Sequence, residues 1–274
     1  MIDRDLIKRA LAEDLQGGQD ITSVATVSGD EKIVADFTAR NSGVVAGIDM
    51  ARAVLEEVGL TDIAVLVKDG ASVKSGEVLM TVRGDTRAIL LAERTALNFL
   101  GHLSGIATLT RTWVDAVAGT NCIIRDTRKT TPGMRLLEKY AVRMGGGTNH
   151  RMSLSDAALI KDNHIAAAGG VAQAFSKVRE KFPTTEIEIE VDTLDQLREV
   201  LPLKPDLVLL DNMSPAQCAE AVSIVAGATK LEASGGITLD NAKAYALTGV
   251  QFLAIGALTH SAPVFDIGLD LRAE

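Results

Sequence analysis

Short apolar runs alternate with amphipathic segments along the second half of the chain. The runs lie at 122–126, 157–161, 186–192, 206–212, 229–233 and 250–256, and apolar residues recur at helical spacing in the segments at 171–182, 193–201, 215–226 and 239–247. Strands that alternate with helices of this length are typical of parallel sheets with right-handed crossovers. The pattern therefore predicts an α/β fold. About six strands are too few for a closed eight-stranded barrel, so we predict an incomplete, open α/β barrel.

The first part of the chain has a different pattern. Apolar spacing predicts helices at 4–14, 50–58 and 86–100, and strands at 31–39, 64–67, 71–73 and 78–82. A further helix at 106–118 follows Gly105. We therefore predict an N-terminal α+β domain at 1–106 and a barrel domain at 107–261; the open sandwich architecture of the first domain is implied only by the resemblance described below.

One predicted helix, at 133–144, carries basic residues at every fourth position. Arg135, Lys139 and Arg143 lie opposite the apolar residues of this helix. A charged stripe opposite an apolar stripe is typical of a surface helix. We therefore predict that these three side chains form a solvated face.

Four residues at strand ends follow each other at nearly equal intervals. Glu190 and Asp211 are 21 positions apart, Asp211 and Ser234 are 23 apart, and Ser234 and Gly256 are 22 apart. Equal βα steps place all four at the same level of the barrel. The carboxyl ends of barrel strands carry the active sites of such folds. Thr127 to Lys129 and Lys161 also come directly after strands, so we expect one shared mouth.

Composition and charge limit the class of protein. The formal net charge is −8 and 47% of the residues are apolar. The acidic balance argues against nucleic-acid binding, which needs a broad basic surface. The sequence has no run near the roughly 18 apolar residues that span a bilayer, and its first residues lack a signal-peptide core. Cys122 and Cys218 are isolated in apolar surroundings, which favours buried, reduced thiols in the cytoplasm.

Basic residues gather at the predicted mouth in spite of the negative net charge. Arg128, Lys129, His150, Arg151 and Lys161 all lie between residues 125 and 164. Any one of them alone could be a surface charge or a buried structural histidine. Together they favour a ligand with several negative charges, because arginine binds carboxylates in a bidentate manner and lysine acts as a point charge on phosphate.

Two glycine-containing loops follow the last two strands, Ser234-Gly235-Gly236 and Ile255-Gly256-Ala257. Backbone N–H groups in such loops can approach a phosphate closely. The alternative is that the glycines only make tight turns. Two such loops at neighbouring strand ends favour a phosphate site.

Acidic residues end two neighbouring strands. Glu186, Glu188 and Glu190 alternate with apolar residues, and Asp211 ends the next strand. An acidic face inside a barrel requires cations or Mg²⁺ to compensate it. The alternative, a solvated strand face, suits Glu186. For Glu190 and Asp211 we favour contacts to ribose hydroxyls or to a metal ion.

Several long motifs resemble one known family. They are Glu93-Arg94-Thr95-Ala96-Leu97-Asn98, Ser104-Gly105-Ile106-Ala107-Thr108, Thr127-Arg128-Lys129-Thr130-Thr131-Pro132-Gly133, Gly145-Gly146-Gly147-Thr148-Asn149-His150-Arg151, Leu159-Ile160-Lys161-Asp162-Asn163-His164 and Glu232-Ala233-Ser234-Gly235-Gly236. In this order they resemble the signatures of quinolinate phosphoribosyltransferases. The resemblance covers nearly the whole chain.

The resemblance implies an enzyme and its substrates. Such enzymes join quinolinate to phosphoribosyl pyrophosphate with Mg²⁺ and give nicotinate mononucleotide, pyrophosphate and CO₂, a step of NAD biosynthesis. It further implies an N-terminal sandwich, an open barrel, and a C-terminal tail (262–274) that returns to the first domain. It also implies a homodimer, possibly assembled into a hexamer, in which Arg94 completes the partner's active site.

The resemblance also assigns roles to residues. It implies that Arg128, His150, Arg151 and the partner subunit's Arg94 hold the carboxylates, and that Lys129 and Lys161 lie between the base and the pyrophosphate. Glu190 and Asp211 would hold ribose hydroxyls and the metal region. The loops 234–236 and 255–257 would bind the 5′-phosphate.

Two other functions stay open at this level. A phosphoribosyltransferase of the same fold could act on another base, as in the relative found in molybdate-transport clusters. The paired Arg128 and His150-Arg151 favour a dicarboxylate instead. A non-enzymatic sugar-phosphate sensor would need an output surface or an appended domain, and the sequence suggests neither.

Overall fold

A computed structural model describes residues 2–272 of the chain. The helices are α1 (Arg4–Leu15), α2 (Ile21–Thr26), α3 (Ile48–Glu57), α4 (Thr86–Ala116), α5 (Arg135–Met144), α6 (Asp162–Ala168), α7 (Val171–Lys181), α8 (Leu194–Val200), α9 (Pro215–Val225), α10 (Leu239–Ala246) and α11 (Ala257–His260). The strands are β1 (Lys32–Ala39), β2 (Gly43–Val44), β3 (Asp62–Val65), β4 (Ser72–Val73), β5 (Val78–Asp85), β6 (Ile123–Arg125), β7 (Ala158–Ile160), β8 (Ile187–Val191), β9 (Leu207–Asp211), β10 (Lys230–Ser234), β11 (Phe252–Ala254) and β12 (Ile267–Arg272).

The described chain divides into two compact units. The first contains residues 2–111, 136–146 and 261–272, and the second contains residues 112–135 and 147–260. Residues 1, 273 and 274, the last two of which belong to the predicted tail, lie outside the described part. Within that part, no helix, including the 31-residue α4, has the apolar stretch needed to cross a bilayer.

The first unit is built on a four-stranded antiparallel sheet in the order β12-β1-β5-β3. Phe37 at the centre of β1 is fully buried, and it lies opposite Met80 on β5 and Leu269 on β12. β12 pairs with β1 over six residues, from Ile267 to Arg272. A strand near the C-terminal end of the described chain therefore completes the sheet that a strand near the N-terminal end begins.

α4 is a single helix, whereas the sequence pattern predicts two helices separated near Gly105. The reason is packing. A Cβ atom on Gly105 would lie 2.1 Å from the backbone oxygen of Pro263, and one on Gly101 would lie 2.9 Å from the backbone oxygen of Phe265. These glycines allow the C-terminal segment to approach α4 closely, and they do not interrupt it.

The prediction of a solvated face on α5 is wrong for Lys139. Arg143 is exposed, but Lys139 and its neighbour Glu138 are fully buried. Glu138 Oε1 lies 3.0 Å from Nε2 of His102, which belongs to the same unit. A buried ionised group is stable only with partners, and apolar spacing along one helix cannot indicate partners that come from another element.

The second unit contains a six-stranded parallel sheet in the order β6-β11-β10-β9-β8-β7. The six predicted strands are confirmed, with ends that differ by at most two residues. β6 and β7 are the two edges, and no pairing joins them among the described strands, so the barrel is open. The apolar residues of the sheet form its core, with Ile187, Ile189, Val208, Leu210 and Leu253 fully buried.

Both cysteines lie in this second unit and are buried free thiols. Burial raises the pKa of Cys122 to about 12 and that of Cys218 to about 11. Neither thiol is therefore a ready nucleophile at neutral pH.

Candidate active site

A cleft of about 620 Å³ opens at the carboxyl ends of the parallel strands, and all its lining residues belong to the second unit. Its volume suits a ligand of nucleotide size. The lining includes most of the site residues predicted from sequence: Arg128, Lys129, His150, Arg151, Lys161, Glu190, Asp211, Ser234, Gly235, Gly236, Ile255, Gly256 and Ala257. These residues therefore lie around one cleft, as the equal βα spacing predicts.

Arg94 is the predicted site residue that lies elsewhere. It lies on α4 in the first unit, its side chain is 68% exposed, and its Nη2 is 3.9 Å from Glu93 Oε1. Its donation to a partner's cleft stays a prediction.

The loop after β6 is fixed through its backbone. Thr127 Oγ1 accepts a hydrogen bond from Lys129 N at 3.0 Å, and Thr259 Oγ1 donates to Lys129 O at 2.8 Å. The Lys129 side chain itself is exposed. Arg128 Nε is buried and has no hydrogen-bond partner among the described residues. An arginine donor without a partner at a cleft wall favours an anionic ligand there.

The segment 148–151 is held against β6. Thr148 forms a parallel bridge with Arg125. The buried Asp126 carboxylate accepts from His150 N at 2.9 Å and from Asn149 Nδ2 at 2.5 Å. Asp126 therefore fixes the backbone from which His150 and Arg151 project.

Two arginines face the cleft close enough to affect each other. Arg151 Nη1 donates to Ala157 O at 2.8 Å. Burial, and next the positive charge of Arg128, lowers the pKa of Arg151. A dianionic ligand between the two guanidinium groups would relieve this repulsion.

Three carboxylates, here called the rim cluster, gather where β8 and β9 end. Glu190, Asp192 and Asp211 each offer an oxygen atom, and these atoms all lie within 4.8 Å of one another. Lys161 Nζ is 3.4 Å from Glu190 Oε2, and Asn212 Nδ2 donates to Asp211 Oδ2 at 2.6 Å.

Burial and mutual repulsion affect the rim cluster. Burial raises the pKa of Glu190, and the charge of Asp211 adds to this while Lys161 opposes it. Burial, and then the charge of Asp192, raises the pKa of Asp211. Grouped oxygen ligands of this kind suit a hard divalent cation such as Mg²⁺. The residues present therefore fit the predicted metal, whose presence stays a prediction.

Two glycines of the predicted phosphate loops, Gly235 and Gly256, have close neighbours, whereas a Cβ atom on Gly236 would meet no atom within 4 Å. Gly235 has a φ of +86°, and a Cβ atom there would lie 2.1 Å from Asn212 Oδ1. A Cβ atom on Gly256 would lie 3.0 Å from Lys129 Cδ. The local packing therefore explains part of the need for glycine, and phosphate binding by these loops stays a prediction.

A second group of charges, here called the buried cluster, consists of Arg125, His150, Glu188 and Glu232. Sequence reasoning singled out His150 but missed its charged partners. His150 Nε2 lies 2.7 Å from Glu188 Oε2 and 3.6 Å from Glu232 Oε1, and Arg125 Nη1 lies 2.7 Å from Glu232 Oε2. The Arg125 guanidinium also lies 4.4 Å from the centroid of the Phe252 ring.

Burial dominates the electrostatics of this cluster. It raises the pKa of Glu188 to about 7, against the opposing charges of Arg125 and Arg151. Burial, and then the charge of Glu188, raises the pKa of Glu232 to about 7. The only sequence signal was the acidic alternation of 186–190, which cannot show which members are buried. Glu186 is exposed, in agreement with the solvated alternative considered for it.

The sequence of this chain also matches the models of a known protein family. The model of the N-terminal domain of quinolinate phosphoribosyl transferase matches residues 20–104, and that of the C-terminal domain matches residues 106–270. The chain belongs to the quinolinate phosphoribosyltransferase family. The family membership predicted from the sequence motifs is therefore confirmed.

Members of the quinolinate phosphoribosyltransferase family resemble this chain over nearly its whole length. The nicotinate-nucleotide pyrophosphorylase [carboxylating] of Mycobacterium leprae (strain TN) is 53% identical over 98% of this chain and 96% of its own length. A crystal structure of nicotinate-nucleotide pyrophosphorylase from Ehrlichia chaffeensis superposes with a TM-score of 0.94 at 40% identity, covering 98% of both chains. The corresponding enzyme of Francisella tularensis gives a TM-score of 0.94 at 40% identity, over 98% of this chain and 95% of that one.

Proposed function

We propose that this protein is a pentosyltransferase that transfers the phosphoribosyl group of phosphoribosyl pyrophosphate to quinolinate, with loss of CO₂. The products are nicotinate mononucleotide, pyrophosphate and CO₂, so the reaction serves NAD biosynthesis. Full-length similarity to carboxylating nicotinate-nucleotide pyrophosphorylases supports this function. The observation that carries it is one cleft that combines two arginines, two lysines and an acidic rim.

The two substrates match the two kinds of charge in the cleft. Quinolinate is a dicarboxylate, and Arg128 and Arg151 are the guanidinium groups whose mutual repulsion a dianion would relieve. Lys129 and Lys161 would attract the pyrophosphate. The loops 234–236 and 255–257 would take the 5′-phosphate, with their backbone N–H groups as donors.

The chemistry requires little proton transfer. The bond from C1 of ribose to pyrophosphate breaks, and its electron pair leaves with the pyrophosphate oxygen. The pyridine nitrogen then gives its lone pair to C1, and the ring becomes a pyridinium. The bond between the carbon next to the ring nitrogen and its carboxylate breaks, the electron pair stays on that carbon beside the cationic nitrogen, and CO₂ leaves. A proton from solvent completes the ring carbon.

The side chains of the cleft stabilise the charges that develop in these steps. Lys129 and Lys161 stabilise the leaving pyrophosphate, because cations placed at a leaving group lower the barrier. Glu190 and Asp211 face the positive charge that develops on the ribose. No residue needs to act as a general base at the reacting nitrogen.

We propose that Mg²⁺ assists at the rim cluster. Glu190, Asp192 and Asp211 would hold it, directly or through water, together with pyrophosphate oxygens. When bound, the ion would neutralise negative charge on the pyrophosphate. We expect activity to be lost with EDTA and restored by Mg²⁺, and rim-cluster variants to need more Mg²⁺ for half-maximal rate.

We further propose a cytoplasmic homodimer in which the partner subunit's Arg94 completes each cleft. Arg94 is 68% exposed, so it is available for such a contact. The test mixes two inactive variants, Arg94→Ala and Lys129→Ala, after joint unfolding and refolding. Mixed dimers would contain one intact site, and random pairing would restore about a quarter of wild-type activity. No recovery of activity in dimers that have demonstrably exchanged subunits would refute the shared site.

The decisive experiment uses quinolinate with a labelled carbon in the carboxylate next to the nitrogen. We expect labelled CO₂ that depends on phosphoribosyl pyrophosphate, and no labelled CO₂ when the other carboxylate carries the label. An Arg198→Ala variant, whose side chain forms an exposed ion pair far along the chain on α8, is the matched control. Turnover of nicotinate or another pyridine in place of quinolinate would overturn the proposal.

A further inference from the structure

His150 is held at both ring nitrogens by the protein itself. Nδ1 accepts a hydrogen bond of 2.7 Å from the backbone N–H of Arg151. Nε2 lies 2.7 Å from Glu188 Oε2, with Glu232 Oε1 at 3.6 Å. The His150 side chain is only 8% exposed. This arrangement determines which proton the imidazole carries.

A backbone N–H can only donate, so Nδ1 must offer a lone pair and carry no hydrogen. An imidazolium has hydrogens on both nitrogens and is therefore incompatible with this contact. A neutral ring with its one hydrogen on Nε2, which donates to Glu188, satisfies both contacts. Neither nitrogen is then left to donate to a substrate carboxylate. A protonated Nε2 cannot bind a metal ion either, although His150, Glu188 and Glu232 cluster as metal ligands would.

We propose that His150 is a positioning residue, which fixes the Arg151 peptide and thereby the Arg151 guanidinium, and that it does not itself bind the substrate. The inference rests on the proposed function for the identity of that substrate. It departs from the role that the sequence resemblance implies, in which His150 holds a carboxylate.

The groups around His150 fix both its backbone and the orientation of its ring. Asp126 accepts from the N–H of His150, and the His150 ring accepts from the N–H of the next residue, so two successive peptides are fixed. Glu188 and Glu232 come from β8 and β10 and fix the plane of the ring from the other side. Arg125 in turn fixes Glu232. The Arg151 side chain leaves this frame and is held by Ala157 O.

The first test reads the tautomer directly. The protein is labelled with ¹⁵N-histidine, and long-range ¹⁵N–¹H spectra are assigned by substituting each of the four histidines in turn. We expect His150 to give the pattern of a neutral Nε2–H ring near pH 7.5, unchanged when quinolinate is added without phosphoribosyl pyrophosphate. An imidazolium pattern, or a hydrogen that moves to Nδ1 with quinolinate, would overturn the inference.

The second test is a double-mutant cycle on the KM for quinolinate. Arg151→Ala removes a charge-assisted contact and should raise this KM roughly 30-fold, and His150→Asn should raise it roughly 5-fold. If His150 acts through Arg151, the double variant will match Arg151→Ala within about twofold. Effects that multiply to roughly 150-fold would show two independent contacts and refute the positioning role. Circular dichroism melts establish that each variant is folded.

The third test needs no change at His150. Glu188→Gln keeps a side-chain oxygen that can accept from Nε2–H and removes only the charge. A neutral His150 tolerates this, so we expect the KM for quinolinate to stay within about threefold of wild type, as for the exposed control Glu186→Gln. A charged His150 would lose its counter-ion, and a rise of tenfold or more would overturn the inference.

The two proposals fail in different ways. If wild-type protein releases no CO₂ from quinolinate, the proposed function fails, while the tautomer seen by NMR still decides the state of His150. If the enzyme is active and the tautomer or the cycle disagrees, only the positioning role fails.

Discussion

Two carboxylates on the same face of β8 are used in opposite ways. Glu188 is buried, and its Oε2 lies 2.7 Å from His150 Nε2. Burial raises the pKa of Glu188, and the positive charge of Arg125 is the largest influence that lowers it. Glu190 lines the cleft two residues further on and has the half-exposed Lys161 at 3.4 Å. The charged groups of the buried cluster contact one another, although Glu188 Oε1, Glu232 Oε1 and Arg125 Nε have no hydrogen-bond partner among the described residues. Glu190 and Asp211 of the rim cluster instead line the cleft, where a ligand can reach them. The proposed roles differ accordingly: the buried charges position Arg151 through His150, and the residues at the strand ends are available to a ligand.

The largest effect is expected from breaking the buried cluster at its cation. Arg125→Met keeps most of the packing but leaves Glu188 and Glu232 without their guanidinium. We expect the free energy of unfolding to fall by about 3–5 kcal/mol at pH 8, because uncompensated buried charges are costly. Urea unfolding measures this. Arg198→Met, which breaks an exposed ion pair, should cost less than about 1 kcal/mol. Equal losses of unfolding free energy in both variants would show that the buried cluster stabilises the fold no more than an exposed ion pair does.

The next effect concerns a cation of the cleft. Lys129→Ala should lower kcat by about 10²–10³-fold, since it removes a charge that stabilises the leaving pyrophosphate. The KM for quinolinate should change little, and stability should be nearly unchanged because the side chain is exposed. Steady-state kinetics with both substrates check this, with the exposed Lys230→Ala as control. A raised KM at normal kcat would assign Lys129 to binding.

A smaller effect is expected from Arg151→Ala. It should raise the KM for quinolinate by roughly 10–100-fold with a weaker effect on kcat, because it removes charge-assisted hydrogen bonds to a substrate carboxylate. The KM for phosphoribosyl pyrophosphate should stay within about threefold. A selective rise in that second KM would instead place Arg151 at the sugar phosphate.

The smallest effect is a pH dependence of stability. The pKa of Glu232 is about 7 in the fold against an ordinary 4.5, so the folded state binds more protons between these values. The contribution of Glu232 is fully present below about pH 4.5 and is lost as pH rises through about 7. Glu232→Gln keeps a neutral side chain and removes the titration.

The unfolding free energy of wild type relative to Glu232→Gln should therefore fall by on the order of 1 kcal/mol between about pH 5 and pH 8. Glu220→Gln, an exposed substitution on α9, serves as the control for the loss of one carboxylate. A wild-type curve parallel to that of Glu232→Gln would show that Glu232 titrates normally.

The sequence predicts the strand ends well and the buried charges poorly. The residues that line the cleft follow strands in a repeating βα unit, so one rule places Lys161, Glu190, Asp211 and Ser234 together. Glu232 precedes Ser234 by two residues and has no comparable signal. Its environment depends on Arg125 and His150, which lie more than 80 positions earlier in the chain. Pairing across a sheet is a tertiary property that local spacing does not encode.

The same limit explains the errors on the helices. A glycine within a helical pattern indicates a break when only its propensity is considered. Gly105 instead lies where the backbone at Pro263 approaches α4, a contact between residues far apart in the chain. Lys139 has the spacing of a surface residue and is fully buried. The short helices α2 and α6 were also missed, because one or two turns give too few positions to define a period.

The pairing of β12 with β1 constrains how the protein is made. β1 ends at Ala39 and its neighbour begins at Ile267, so the ribosome must synthesise the whole parallel sheet before the antiparallel one is complete. During that interval the nascent chain presents an open strand edge, the kind of edge that pairs with other chains.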